Sequence, residues 1–194
     1  PDAGLPTKEW TAANAAVSVV EDDDTEILMG YARGRGYGPE MRGALELDNS
    51  VQWTELGVRA NVSRKGNNME LGFSAGPNPT GNMVRVALGT PLILGTCTRI
   101  ATEKRTGTGA PLVLASTCIE INDGDEIRFA LDVTARLGTV YLNSAEVPAL
   151  TAIYLGSSLP NGLSHAYFRG SMSSPGENYT SPDGEVDNFE AVVY

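Results

Sequence analysis

Gly124-Asp125-Glu126-Ile127-Arg128-Phe129-Ala130-Leu131-Asp132-Val133, a short break, and then Gly138-Thr139-Val140-Tyr141-Leu142-Asn143 decide the fold class. Ile127, Phe129, Leu131 and Val133 share one parity; Glu126, Arg128, Ala130 and Asp132 share the other. Successive side chains of a strand point to opposite faces, so one face is apolar and the other meets water. Ala135-Arg136-Leu137-Gly138 reads as the turn, and Val140 and Leu142 carry the apolar face onto a return strand. The pattern is that of an antiparallel hairpin with one buried side.

The same alternation extends outward in both directions. Upstream, Leu56, Val58, Ala60 and Val62 alternate with Glu55, Arg59 and Asn61; Met69, Leu71 and Phe73 follow, then Val84, Val86 and Leu88. Further upstream, the β-branched Val17, Val19 and Val20 turn an alanine-rich stretch toward a strand, and Glu26 to Tyr31 reads as another. Gly30 to Gly43 reads as an irregular loop around Arg33, Arg35 and Tyr37. Downstream, short strands are expected near Ile153–Leu155, Ala166–Arg169 and Val186–Tyr194. No segment keeps a helical period, and ten or so short strands between turn signals predict an all-β, antiparallel two-sheet β-sandwich of jelly-roll type.

The 194 residues are expected to form one domain, 1–194, with residues 1–9 as an extended lead-in. Fourteen Lys and Arg against 24 Asp and Glu leave a charge of -10. That balance disfavours nucleic acid and anionic membrane surfaces, both of which need a basic footprint. No apolar run is long enough to span a bilayer, and no secretory signal opens the chain. Residue 1 is Pro. A removed initiator Met, a cleaved signal peptide and a segment of a longer chain all remain open.

Cys97 and Cys118 sit in apolar-alternating segments on either side of the polar run Thr102–Gly109, read as a turn. Two strands folded about it can bring the thiols together, and a disulfide closing that loop would add roughly 3 kcal/mol. The alternative is a pair of buried free thiols.

Three stretches resemble the concanavalin A-like lectin/glucanase superfamily, its laminin G-like jelly rolls in particular. They are the Gly124-Asp125 to Tyr141-Leu142-Asn143 hairpin, the closing strand Val186-Asp187-Asn188-Phe189, and the run from Trp53 to Val62 with Met69 to Phe73. Many members have Gly after the hairpin Asn, where this chain has Ser144, which puts the turn at the tip in question. The resemblance implies a fold rather than a function, since lectins, hydrolases, lyases, adhesion modules and virus tail proteins share it. It also implies that Asp187 of the closing strand helps to bind a structural Ca²⁺ with an oxygen near the N-terminus; Glu9 is the candidate partner and Asp22 the fallback. Asp187 shares parity with Phe189 and Ala191, so a regular strand points it inward, where a carboxylate needs Arg, N–H donors or a metal.

Catalysis finds little support. The glucanase members' Glu-x-Asp-x-x-Glu strand and the alginate-lyase members' Arg-x-Glu-x-Arg strand have no counterpart, and Glu120, Asp123, Asp125 and Glu126 read as solvated loop charge. The sole His, His165, reads as a hydrogen-bonding structural residue. For binding, sugars stack on aromatic faces, and Tyr31, Tyr37, Trp53 and Tyr141 are the candidates; the competing reading makes Trp53 core with tyrosines over its edge. The expected function is a non-catalytic carbohydrate-recognition or adhesion module, extracellular or at the cell surface, whose partner is a glycan or cell-surface polysaccharide. The alternative is a structural virion component, a phage tail or capsid-decorating protein that packs against other subunits. A hydrolase or lyase ranks third.

Overall fold

The computed structural model describes residues 17–22, 25–30, 40–47, 54–64, 69–76, 81–89, 97–171 and 185–193. The strands run β1 Val17–Asp22, β2 Thr25–Gly30, β3 Glu40–Glu46, β4 Glu55–Arg64, β5 Met69–Ser74, β6 Met83–Leu88 and β7 Thr98–Arg105. They continue as β8 Leu112–Ile119, β9 Glu126–Asp132, β10 Leu137–Leu142, β11 Ala145–Glu146, β12 Ile153–Tyr154, β13 His165–Ser171 and β14 Glu185–Val193. A single 3₁₀ turn, Pro148–Leu150, is the one helical piece among the described residues. None of these is a helix long and apolar enough to cross a membrane.

The strands form two antiparallel sheets and a separate β1–β2 hairpin. Sheet I has the order β11-β10-β9-β4-β14, with β12 also pairing with β10; sheet II has the order β3-β13-β5-β6-β7-β8. The chain is an all-β antiparallel two-sheet sandwich, as the alternation predicts. Leu56, Val58, Ala60 and Val62 of β4, with Ile127, Phe129 and Leu131 of β9, face Leu71, Phe73, Val84, Val86, Ile100, Ala166 and Phe168 of sheet II. All are essentially without solvent contact. Phe73 and Phe129 meet across the two sheets with ring centroids 6.1 Å apart, within the range of favourable aromatic pairs.

Several local expectations change. Asp132 pairs with Leu137, so the β9–β10 turn is 133–136, with Arg136 at φ 58, rather than Ala135–Gly138. Gly138 is a buried strand residue, and a Cβ there would lie 2.8 Å from Cε2 of Phe129. The glycine makes room for the ring; it does not bend the chain. Thr102–Arg105 also belong to a strand, β7, and not to the turn after it. Gly43 lies in β3, where it pairs with Phe168, instead of in a loop.

The hairpin tip behaves as a two-residue turn. Leu142 pairs with Ala145, and both Asn143 (φ 50) and Ser144 (φ 66) are left-handed. That is the type I′ pattern, which glycine suits best at its second position. Serine therefore leaves the kind of turn unchanged and adds strain to it.

Candidate functional site

The sandwich leaves each sheet with an outer face, and the two outer faces differ. On sheet I, Tyr141 points away from the core, as its parity predicts, and pairs with Arg128. The Arg128 guanidinium sits 4.7 Å from the Tyr141 ring centroid, so one ring face already carries a cation. Beside it Arg59 reaches Glu126 at 3.3 Å. These groups are partly exposed, and their contacts are those of an ordinary surface.

The outer face of sheet II is sheltered. Every residue of β5 is buried on both faces. Glu70, Ser74, Met83, Ala101, Glu103 and Tyr167 all lie below a tenth exposure. Across this face runs a ladder of alternating charge. Arg169 of β13 lies directly opposite Glu70 of β5, and Arg85 of β6 directly opposite Glu103 of β7. Arg169 Nη1 donates to Glu70 Oε1 at 3.1 Å, and Arg85 Nη1 pairs with Glu70 Oε2. Arg85 Nε and Nη2 both donate to Glu103 Oε2, at 2.8 and 2.6 Å. A buried charge is tolerated when it is paired and hydrogen-bonded, and each member here is.

Beside the ladder, the Arg105 guanidinium donates to Gly81 O at 2.8 Å. Burial, then the nearby Arg85, holds it below the usual arginine value. The Tyr167 hydroxyl donates to Met83 Sδ at 3.5 Å. Burial raises this phenol well above its ordinary value, against the opposing pull of Arg85, Arg169 and Arg105.

At the end of the ladder the face opens into a cleft of about 160 Å³. The small residues Ala87, Gly89 and Ala101 line it, together with Met69 and Leu88. One end is closed by Glu70, Arg85 and Glu103, the other by Arg99. Ala87 pairs with Ala101, and Gly89 N donates to Arg99 O, so the cleft lies along β6 and β7. Its volume is close to the ~150 Å³ of a protein cavity that takes one benzene ring. Just outside it, Cys97 and Cys118 form a disulfide with Cα atoms 5.5 Å apart, tying the start of β7 to β8.

The remaining candidates fall elsewhere. Tyr31, Tyr37, Trp53 and Glu9 lie outside the described residues. Asp187 and Asp22 have described backbones only. Asp187 pairs with Asn61, and a bulge between Asp187 and Glu190 breaks the alternation that set Asp187 with Ala191. The regular strand behind the inward Asp187 is therefore not present. Among the described residues no group of three His, Cys, Asp or Glu can hold a metal ion. His165 is hydrogen-bonded through Nδ1 to Ser164 Oγ at 2.9 Å.

Asp125 departs from the solvated-charge reading. Its Oδ1 accepts from Asn143 Nδ2 at 2.8 Å and its Oδ2 from Asn122 N at 2.7 Å, while Glu126 N donates to Asn143 Oδ1 at 2.9 Å. The Gly-Asp and Asn of the hairpin motif clamp one strand end to the next. Their role is architectural.

Sequence reasoning passed over Glu70, Arg85, Arg99 and Glu103. Two of them left a signal: Glu70 and Arg85 are the polar positions inside the alternating runs Met69–Phe73 and Val84–Leu88.

No protein-family model matches the sequence, and no curated protein matches it as a relative. Solved structures do match. Carbohydrate-binding module CBM66 from Bacillus subtilis has a TM-score of 0.51 at 11% identity, with 94% of each chain covered. A GlcNAcα1-4Gal-releasing endo-β-galactosidase from Clostridium perfringens has a TM-score of 0.54 at 9% identity, covering 97% of this chain and 59% of that one. A sialidase has a TM-score of 0.50 at 14% identity, covering 94% of this chain and 17% of that one. The chain thus spans less than two thirds of both enzymes. What it has in common with all three is the fold, a jelly-roll sandwich of the concanavalin A-like type.

Proposed function

We propose that this protein is a non-catalytic carbohydrate-recognition module, extracellular or at a cell surface, which seats one sugar ring in the cleft on sheet II. The cleft itself carries the reading. It is a half-open, ring-sized cleft in which the small residues Ala87, Gly89 and Ala101 lie beside the charged Glu70, Arg85, Arg99 and Glu103. Sugar sites combine these features: apolar contact for the ring, and a few fixed donors and acceptors for its hydroxyls. Glu103 uses Oε2 for both bonds from Arg85, and among the described residues no donor takes Oε1. That oxygen is the acceptor for a sugar hydroxyl.

The ladder also argues against hydrolysis. A glycosidase needs one carboxylic acid that keeps its proton and a second carboxylate free to act. Glu70 and Glu103 are both tied to the same Arg85, so this face does not offer an acid and a second, independent carboxylate. The similarity in fold to a carbohydrate-binding module agrees with this reading.

The test is a glycan array probed with the wild-type chain and with Ala87→Phe, which fills the cleft. Saturable binding that Ala87→Phe removes while the melting temperature stays within a few degrees supports the site. A blank array with folded protein removes it. Subunit packing in a virion would then lead, and one observation favours that second reading: the edge strand β8 has no charged residue and exposes Leu112 and Val113. Sedimentation would then show a symmetric assembly. A structural Ca²⁺ at Asp187 and Glu9 belongs to the proposal only if excess chelator lowers the melting temperature, because a bound ion stabilises by mass action.

A further inference from the structure

We infer that Asn161 is a site of spontaneous covalent modification: the chain cyclises there, loses ammonia and reopens as aspartate or isoaspartate, in a loop that helps tie three connections of the sandwich together. What the cleft binds plays no part in this. Asn161-Gly162 is the only Asn-Gly step in the sequence. The nucleophile in this reaction is the backbone nitrogen of the residue after the asparagine, and a side chain on that residue obstructs its approach to Cγ. Glycine has no side chain and gives the backbone its widest freedom to reach the reacting conformation.

The fold leaves this step open. Residues 155–164 join β12 to β13. Lys104 Nζ holds the start of the loop, donating to Leu155 O at 2.7 Å and to Ser158 O at 2.8 Å; at its end Ser164 N donates to Ser74 O at 2.8 Å. Between these anchors Asn161 and Gly162 form a turn, both exposed, with Gly162 at φ 73. Even a Cβ on Gly162 would meet nothing closer than Ala75 Cβ, at 4.0 Å. The Asn161 side-chain amide has no hydrogen-bond partner among the described residues. Asn143 is the contrast. It too is exposed in a tight turn, but Ser144 follows it, and its amide is held on both sides, Nδ2 by Asp125 Oδ1 and Oδ1 by Glu126 N.

In the first step Gly162 N attacks Asn161 Cγ. The N–Cγ bond forms, the Cγ–Nδ2 bond breaks, and Nδ2 leaves as ammonia with the proton of the Gly162 amide. Water then opens the cyclic imide. Cleavage at N–Cγ leaves aspartate. Cleavage between the backbone carbonyl carbon of residue 161 and the Gly162 nitrogen leaves isoaspartate, whose main chain runs through Cβ and Cγ and is one carbon longer. Either product adds one negative charge to a chain at -10. The second also disturbs a clamp. Asn82 Nδ2 donates to Asn161 O at 2.8 Å while Asn82 Oδ1 accepts from Gly107 N at 2.7 Å, so one side chain links the β5–β6, β7–β8 and β12–β13 connections. In isoaspartate the oxygen that accepts from Asn82 moves off the main chain.

The test is incubation of the full chain from neutral to mildly alkaline pH, followed by peptide mass mapping and an ammonia assay. The samples are folded wild type, wild type unfolded in guanidinium, and Asn161→Gln, whose fold is checked by circular dichroism. In folded wild type the Asn161 peptide should gain one mass unit faster than the Asn143 peptide by about tenfold or more. The rate should rise with pH, because the attacking nitrogen must lose its proton. Asn161→Gln should release less ammonia over the same time, since glutamine closes only a slower six-membered ring. The isoaspartate fraction, separated by ion exchange, should melt a few degrees below fresh protein, as loss of a hydrogen-bonded tie requires. If folded Asn161 converts no faster than Asn143, or more than about tenfold slower than in the unfolded chain, the loop is closed to the reaction and the site is refuted. Conversion with an unchanged melting temperature in the isoaspartate fraction keeps the site and overturns the part given to the Asn82 clamp. None of these results bears on the glycan array, so the cleft and this loop stand or fall separately.

Discussion

Gly72→Ala is the sharpest probe of how the site is built. Gly72 lies on the outer face of sheet II, opposite Arg85. A Cβ there would stand 2.2 Å from Val84 O, 2.6 Å from Arg85 Cα and 2.9 Å from Arg85 Cβ. Carbon and carbonyl oxygen tolerate each other at about 3.3 Å, so β5 and β6 must separate locally by about 1 Å. Ladder hydrogen bonds near 2.9 Å do not survive such a shift. About two of them, at about 1 kcal/mol each, and a packing penalty of about 1–3 kcal/mol give about 3–5 kcal/mol of lost stability. For a chain of this size that lowers the melting temperature by roughly 10 °C. The assay is urea unfolding of wild type, Gly72→Ala and Gly76→Ala. Gly76 is the control, since nothing lies within 4 Å of a Cβ there. It should be neutral, or stabilising by less than about 1 kcal/mol through the unfolded state. If the two variants agree within about 0.5 kcal/mol, the contact at Gly72 does not set the spacing of β5 and β6, and the reasoning is refuted.

Four further outcomes are expected. Ser144→Gly should raise stability by about 0.5–1 kcal/mol in urea unfolding, because Ser144 holds φ 66 in a type I′ turn; no gain would mean the turn is unstrained. Thr102→Val should stabilise by about 1 kcal/mol, since Thr102 Oγ1 is fully buried with no partner among the described residues. Tyr167 has a raised pKa in the fold, so its contribution is complete below the unfolded value near 10 and is lost as the pH climbs above it. Unfolding free energies from pH 9 to 11 should fall with pH, and Tyr167→Phe should flatten that slope; an unchanged slope removes the assignment. Replacing Cys97 and Cys118 by Ser should cost about 3 kcal/mol from the loop of separation 21, read as a fall in the urea midpoint of the oxidised but not the reduced protein.

The hairpin from Gly124 to Asn143 was legible because its information is local. Alternation with period two names a strand and its buried face without reference to any other segment, and Ile127, Phe129, Leu131 and Val140 all lie in the core. Misreadings occurred where glycine had two meanings. Gly138 and Gly43 look like turn residues in the chain, yet one makes room for Phe129 and the other pairs with Phe168. At Asp187 the reason is related: one bulge on β14 interrupts a parity read from the chain, and only cross-strand pairing reveals it.

The sequence by itself determined the fold class, the core positions of the long strands and the two cysteines available to pair. Only the tertiary structure decided the site. Glu70, Arg85 and Glu103 come from three strands, and Arg169 joins them from 99 residues beyond Glu70. Each is unremarkable as a polar position in an alternating run. Register places them side by side, burial removes the water that would screen them, and the small residues Ala87, Gly89 and Ala101 leave the space beside them open. Alternation is a property of neighbours in the chain, whereas a binding cleft is a property of neighbours across a sheet, and backbone pairing alone sets which residues those are.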